Sequence, residues 1–160
     1  MQRLAGVVLF ACFLALVPSV INNGAYAQVQ ALTMENSKLN GLENAKVGEI
    51  DLRNKWGIEI TALRLTAADR MIDFRYKVLD AEKATPLFKR ENKPYLIDEA
   101  TGKVLSVPAP AKVGPLRNSN PPKEGRIYWM FFGNGGNLVK KGDKVTIKIG
   151  DFRADKLIVE

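Results

Sequence analysis

The sequence predicts an all-β chain, an antiparallel sandwich of about seven or eight strands, and three observations carry that expectation. Arg126 to Gly133 reads RIYWMFFG, with six consecutive apolar residues, four of them aromatic, between Gly125 and Gly133-Asn134-Gly135-Gly136. A helix of that length would expose half of this surface, whereas a strand covered on both faces buries all of it, so the run predicts a central strand. Met71 to Asp80 alternates cleanly, with Ile72, Phe74, Tyr76 and Val78 on one side and Asp73, Arg75 and Lys77 on the other. That is the pattern of a half-buried antiparallel strand with a solvated charged face. Turn signals then recur at the spacing of about 8–12 residues that all-β sandwiches show.

Taken in order, the first 27 residues read as a secretory signal peptide. Arg3 supplies the positive charge, Leu4 to Val17 the apolar run, and Ala25-Tyr26-Ala27 a small-x-small cleavage site before Gln28. The run is shorter than the ~20 residues a membrane span needs, so membrane contact is expected only in transit through the signal peptide. Leu9-Phe10-Ala11-Cys12 loosely resembles a lipobox, with Phe10 a poor fit, and lipidation of Cys12 is the alternative. The expected address is outside the bacterial cytoplasm, periplasmic or extracellular.

Cleavage there would remove Cys12, the one cysteine of the chain, leaving no thiol for disulfides or for nucleophilic chemistry. Histidine is absent altogether, which takes away the commonest metal ligand and the commonest general base. The net charge of +7 gives a modest positive field that favours acidic partners. Nucleic acid is not expected, since no recognition helix or RNA-binding sheet motif is visible.

Gln28 to Lys55 is polar and reads as a linker or edge segment. A short helix over Met34 to Ala45 is weakened by Asn36, Asn40 and Gly41, and an edge strand is expected over Glu49 to Leu52. The sandwich domain is expected from Trp56 to Glu160. Ile58, Ile60 and Ala62 share one parity while Leu63 and Leu65 take the other, the phase slip of a β-bulge or of a strand changing sheets. Ala67 to Arg70 is a turn, and Ala81 to Leu87 a connection with one helical turn before Pro86. Pro94 to Asp98 restarts as a strand, with Pro94 confined to its first positions. Asp98 to Lys103 is a tight hairpin with Gly102 left-handed, and Val104 to Val107 the returning strand.

Residues 108 to 125 form the longest irregular piece, with five prolines and Gly114 and Gly125. Loops of this length are usually functional or mobile. With Lys112, Arg117, Lys123 and Arg126 it is the candidate basic contact surface, joined by an exposed Trp56, and the competing reading is a crossover between sheets. Gly133 to Asn137 is a flexible turn without the lysine and helix start of a phosphate loop. Val145, Ile147 and Ile149 point inward, and Asp155 to Glu160 closes the domain. An immunoglobulin-like sandwich without its disulfide is the expected topology, and a small closed barrel the alternative.

No catalytic constellation emerges, and no metal or other cofactor is expected. Asp98 and Glu99 are adjacent in a turn and diverge, unlike the facing carboxylates of a glycosidase. Ser106 and Ser119 lie in no nucleophile context, and Met34, Met71 and Met130 are far apart. The segments Trp56-Gly57-Ile58, Asp73 to Asp80, Pro94 to Gly102 and Gly142 to Ile147 resemble a group of uncharacterised exported bacterial proteins, over Trp56 to Glu160. That resemblance implies an immunoglobulin-like β-sandwich and carries no activity or site residues. The expected function is a non-catalytic exported module that binds an envelope protein or an acidic polymer through the basic loop. The alternative is a carrier holding a small apolar ligand between the sheets with Tyr76, Tyr95, Tyr128 and Trp129.

Overall fold

The computed structural model describes residues 28, 30–37 and 50–160. The signal segment 1–27, the stretch 38–45 of the expected helix and Glu49 of the expected edge strand lie outside the described residues. The chain divides into two units, Met1–Lys38 and Leu39–Glu160. In the first, residues 28 and 30–37 are helical and exposed. No helix among the described residues is long and apolar enough to cross a membrane.

The described residues of the second unit form seven strands in two antiparallel sheets. They are β1 (Ile58–Thr66), β2 (Met71–Val78), β3 (Pro94–Asp98), β4 (Val104–Ser106), β5 (Ile127–Gly133), β6 (Lys144–Ile149) and β7 (Phe152–Ile158). One sheet runs β1-β2-β5 and the other β4-β3-β6-β7. The chain therefore changes sheet after β2, after β4 and after β5. Apart from the register slips in β1 and β7, each strand turns one parity inward, so Ile72, Phe74, Tyr76 and Val78 of β2 meet Leu96 of β3 and Val145, Ile147 and Ile149 of β6 in a single core. Full burial of such side chains contributes about 1.5–3 kcal/mol each.

The parity slip in β1 is a bulge. Ile60 pairs with Tyr76 and Ala62 with Arg75, leaving Thr61 unpaired and exposed. That extra residue lets Ile58 and Leu63 both face the core although an even spacing does not separate them. Asp98 turns the β3–β4 hairpin as expected, accepting from the Thr101 amide and hydroxyl while Gly102 takes φ 70°.

Several expectations are corrected. Residues 50–56 are helical, not an edge strand, and they bring Leu52 and Trp56 into the core, so part of the expected linker packs with the sandwich. An apolar residue every fourth position suits one helix face as well as a strand end. β5 is not central; β2 is the middle strand of its sheet. Tyr128, Met130 and Phe132 are buried, but Trp129 and Phe131 face outward, half-buried against each other at 5.2 Å, and Ile127 is exposed. The free edge of β5 is covered by the loop, through an antiparallel bridge between Arg117 and Met130. Asp73 is not solvated: Arg64 and Arg75 close over its carboxylate, which is 3% exposed. The turn after β5 is pinned, because Asn134 is fully buried.

Candidate binding face

The five residues expected to make one contact surface do not gather into one patch, although Lys123 and Arg126 adjoin, the Arg126 amide donating to the Lys123 carbonyl (3.2 Å). Trp56 is 9% exposed, packed edge-on against Phe152 at 5.4 Å with Lys55 Nζ over its ring, so it is a core residue and no exposed contact. Arg117 spends its guanidinium on the fold. Its Nη1 donates to the Asn92 carbonyl (3.1 Å) and its Nη2 to that of Lys89 (3.2 Å). Its charge also lies beside Tyr76, whose phenol burial pushes well above its ordinary pKa, with Arg117 offsetting part of the shift.

Lys123 and Arg126 flank Tyr128 at the start of β5. The Tyr128 hydroxyl donates to the Pro121 carbonyl and accepts from the Lys123 amide, and the Arg126 guanidinium lies 5.5 Å from the ring centroid. Lys112 sits on an exposed turn whose base, Pro108 to Leu116, is held at the other end of β5, with Leu116 accepting from the Phe131 amide and Pro108 against Gly133. The three exposed cations thus divide between opposite ends of one strand. An arginine with five donors can serve several carbonyls at once, and Arg117 uses its own to tie the proline-rich crossover to the segment Lys89 to Asn92.

The four aromatic residues of the carrier alternative diverge as well. Tyr76 and Tyr128 stack at 6.0 Å in the core, Tyr95 lies on the outer face of the four-stranded sheet, and Trp129 lies on the outer face of the other. They line no common space. Of the paired acids, Asp98 is buried in its own hairpin. Glu99 accepts from the Lys156 amide and from the Thr146 hydroxyl, which also contacts Asp155. Among the described residues no group of three acidic, cysteine or histidine side chains is placed to hold a metal ion.

What the fold does gather is the outer face of β4-β3-β6-β7. Strand register aligns Ser106, Tyr95, Lys148 and Arg153 in one row across all four strands, and Val104, Ile97 and Thr146 in the next. An open groove of about 440 Å³ follows this face, lined by Glu91, Asn92, Lys93, Tyr95, Ile97, Val104, Lys148 and Gly150. Tyr95 is 40% exposed and Val104 60%. One wall is rigid. Asn92 Nδ2 donates to the Pro86 carbonyl (2.8 Å) while the Asn92 carbonyl accepts from Arg117. Gly150 permits that wall, for at φ 60° a Cβ there would stand 2.7 Å from the Asn92 side chain.

The face leans basic. Among the described residues neither Lys93 nor Lys148 has a carboxylate at ion-pair distance, and Glu91 is the acid of the groove. Arg153 is paired with Asp155 at 2.7 Å; its hydrogen bond holds the Asp155 carboxyl below the usual range, and the same bond raises Arg153. The groove offers a flat ring, an aliphatic floor, two ammonium groups, one carboxylate and hydroxyl and amide groups, which is the equipment of recognition. Sequence reasoning placed Tyr95, Ile97, Val104 and Lys148 on strands, and Arg153 in a turn, but missed the site, because a row across four strands exists only once the register is set; the exposed parity of Tyr95 was the available signal. No family model matches this chain, and neither does any curated protein or solved structure.

Proposed function

We propose that the chain is an exported, non-catalytic module of immunoglobulin-like topology that binds an acidic component of the bacterial envelope. Export rests on the signal pattern of residues 1–27 and on the resemblance to exported bacterial sandwiches over Trp56 to Glu160. The strand order supports the topology: it follows the constant-type immunoglobulin arrangement, except that β4 lies beside β3 rather than beside β5.

The observation that carries the binding reading is the exposed Tyr95 ring set between Lys93 and Lys148 on an open sheet face. This moves the contact from the proline-rich loop to the sheet. The test is a pair of charge-matched variants. Lys93→Gln/Lys148→Gln is expected to elute from an acidic matrix at clearly lower salt than Lys112→Gln/Lys123→Gln, since only the first pair lies in the groove. Coincident elution of the two would show that bulk charge governs retention and that the groove is not the contact.

A further inference from the structure

We infer that the occupant of this face is a carboxylated polysaccharide, a polymer of uronic-acid-type sugars lying across the strands; the inference rests on the binding-module reading above. Four features of the face choose the polymer.

The first is where the hydrogen bonds lie. In a sheet the backbone N–H and C=O groups are spent sideways on neighbouring strands, so a peptide laid on the face gains no ladder bonds; peptides add at edges. A sugar needs none of these groups. Its C–H face packs on a flat ring, and its hydroxyls use side chains.

The second is the floor. Tyr95 stands beside Ile97 and Val104, which are outward-facing residues on adjacent strands. Together they make a level apolar surface with a phenol hydroxyl at its margin, suited to the mixed surface of a pyranose ring.

The third is spacing. Neighbouring strands lie about 4.8 Å apart, and the row Tyr95, Lys148, Arg153 advances one strand at a time. A chain crossing the strands with one ring on Tyr95 brings its next carboxylate over Lys148; beyond it Arg153 is already paired with Asp155, so the charge contact of this row is Lys148. Ser106 is the neighbour on the opposite side of Tyr95 and offers a hydroxyl there.

The fourth is Glu91. A carboxylate in the groove opposes the carboxylates of any polyanion, and the acidic side chains of a polypeptide have only acceptors to present to it. Sugar hydroxyls can donate to it. The same residue therefore favours an anionic polyol over an acidic protein.

The experiment is a calorimetric titration of the chain with polygalacturonate, with poly-glutamate as the acidic polypeptide and dextran as the neutral sugar. Polygalacturonate is expected to bind, and Tyr95→Ala and Lys148→Gln each to weaken it about tenfold, while Lys123→Gln leaves it unchanged. Poly-glutamate and dextran are expected to bind at least about tenfold more weakly. Tyr95 and Lys148 are surface residues, so circular dichroism of the variants should match that of the original chain. If poly-glutamate binds as tightly and is equally sensitive to Tyr95→Ala, the occupant is an acidic protein: the glycan assignment falls and the module reading stands. If polygalacturonate binds but ignores both substitutions, the face is not its site. If neither polyanion binds, this inference and the proposed function fall together.

Discussion

Asn134 shows how much one side chain carries in this fold. Its Nδ2 donates to the carbonyls of Asp69 (2.7 Å) and Val139 (2.8 Å), its Oδ1 accepts from the Val139 amide, and its own amide donates to the Arg70 carbonyl. It thereby ties the β1–β2 turn to the loop after β5. That turn is strained, since Ala67, Ala68 and Asp69 take φ of 53°, 53° and 63° without a glycine among them. A left-handed alanine costs roughly 1–2 kcal/mol, so the conformation persists only because it is held from outside. Asn134→Asp replaces two donated bonds by a carboxylate facing two carbonyls in a buried site. It is expected to cost at least about 3 kcal/mol, against about 2 for Asn134→Ala, read from urea unfolding midpoints. Equal midpoints would show that the amide donors do not hold the turn. Asp73 belongs to the same scale. Alternation placed it outside the core correctly, yet Arg64 on β1 and Arg75 on its own strand bury it, which parity along a single strand cannot express.

At the level of elements, β1 and β5 depart from regularity for different reasons. Thr61 is an insertion in the pairing of β1, and removing it leaves Ile58, Ile60, Leu63 and Leu65 in plain alternation with their partners on β2 unchanged. The chain lacking Thr61 is therefore expected to fold and to melt within about 5–10 °C of the original. Deleting Arg75 from β2, which has no bulge, turns half the strand to the wrong face and is expected to abolish a cooperative transition. Thermal unfolding followed by circular dichroism separates the two, and an equal loss in both would refute the bulge assignment. The phase slip was readable because it leaves a trace in local parity, and pairing with β2 on both sides of it decided for a bulge over a change of sheet. The position of β5 was not, because an unbroken apolar run fits a strand packed on both faces and equally one whose outer rings pack on each other. Arg117 covers that edge from a loop that composition alone marked as a binding surface.

For the molecule as a whole, the core reaches from Leu52 to Val159, and Glu160 exchanges backbone hydrogen bonds with Leu63 and Leu65, linking the end of the four-stranded sheet to β1. Trp56 closes one side of this core, and Gly57 after it fits so tightly against Asp80 that a Cβ would come within 2.6 Å. Trp56→Ala is accordingly expected to cost about 3–5 kcal/mol. A loss below 1 kcal/mol in chemical denaturation would return residues 50–56 to the status of a tether. The strands β1 to β4 and β6, the phase slip in β1, the β3–β4 hairpin and the inward parity of β2 and β6 were determined by the sequence alone, because burial preference repeats along the chain and is written residue by residue; β7 begins at Phe152, inside a stretch that reads as a turn. Tertiary structure decided what depends on residues far apart meeting. It set the strand order and the helical seal by Trp56, and it gave Arg117 and Asn134 their structural roles. It also aligned Ser106, Tyr95, Lys148 and Arg153, which share a face only because register across four strands puts them there.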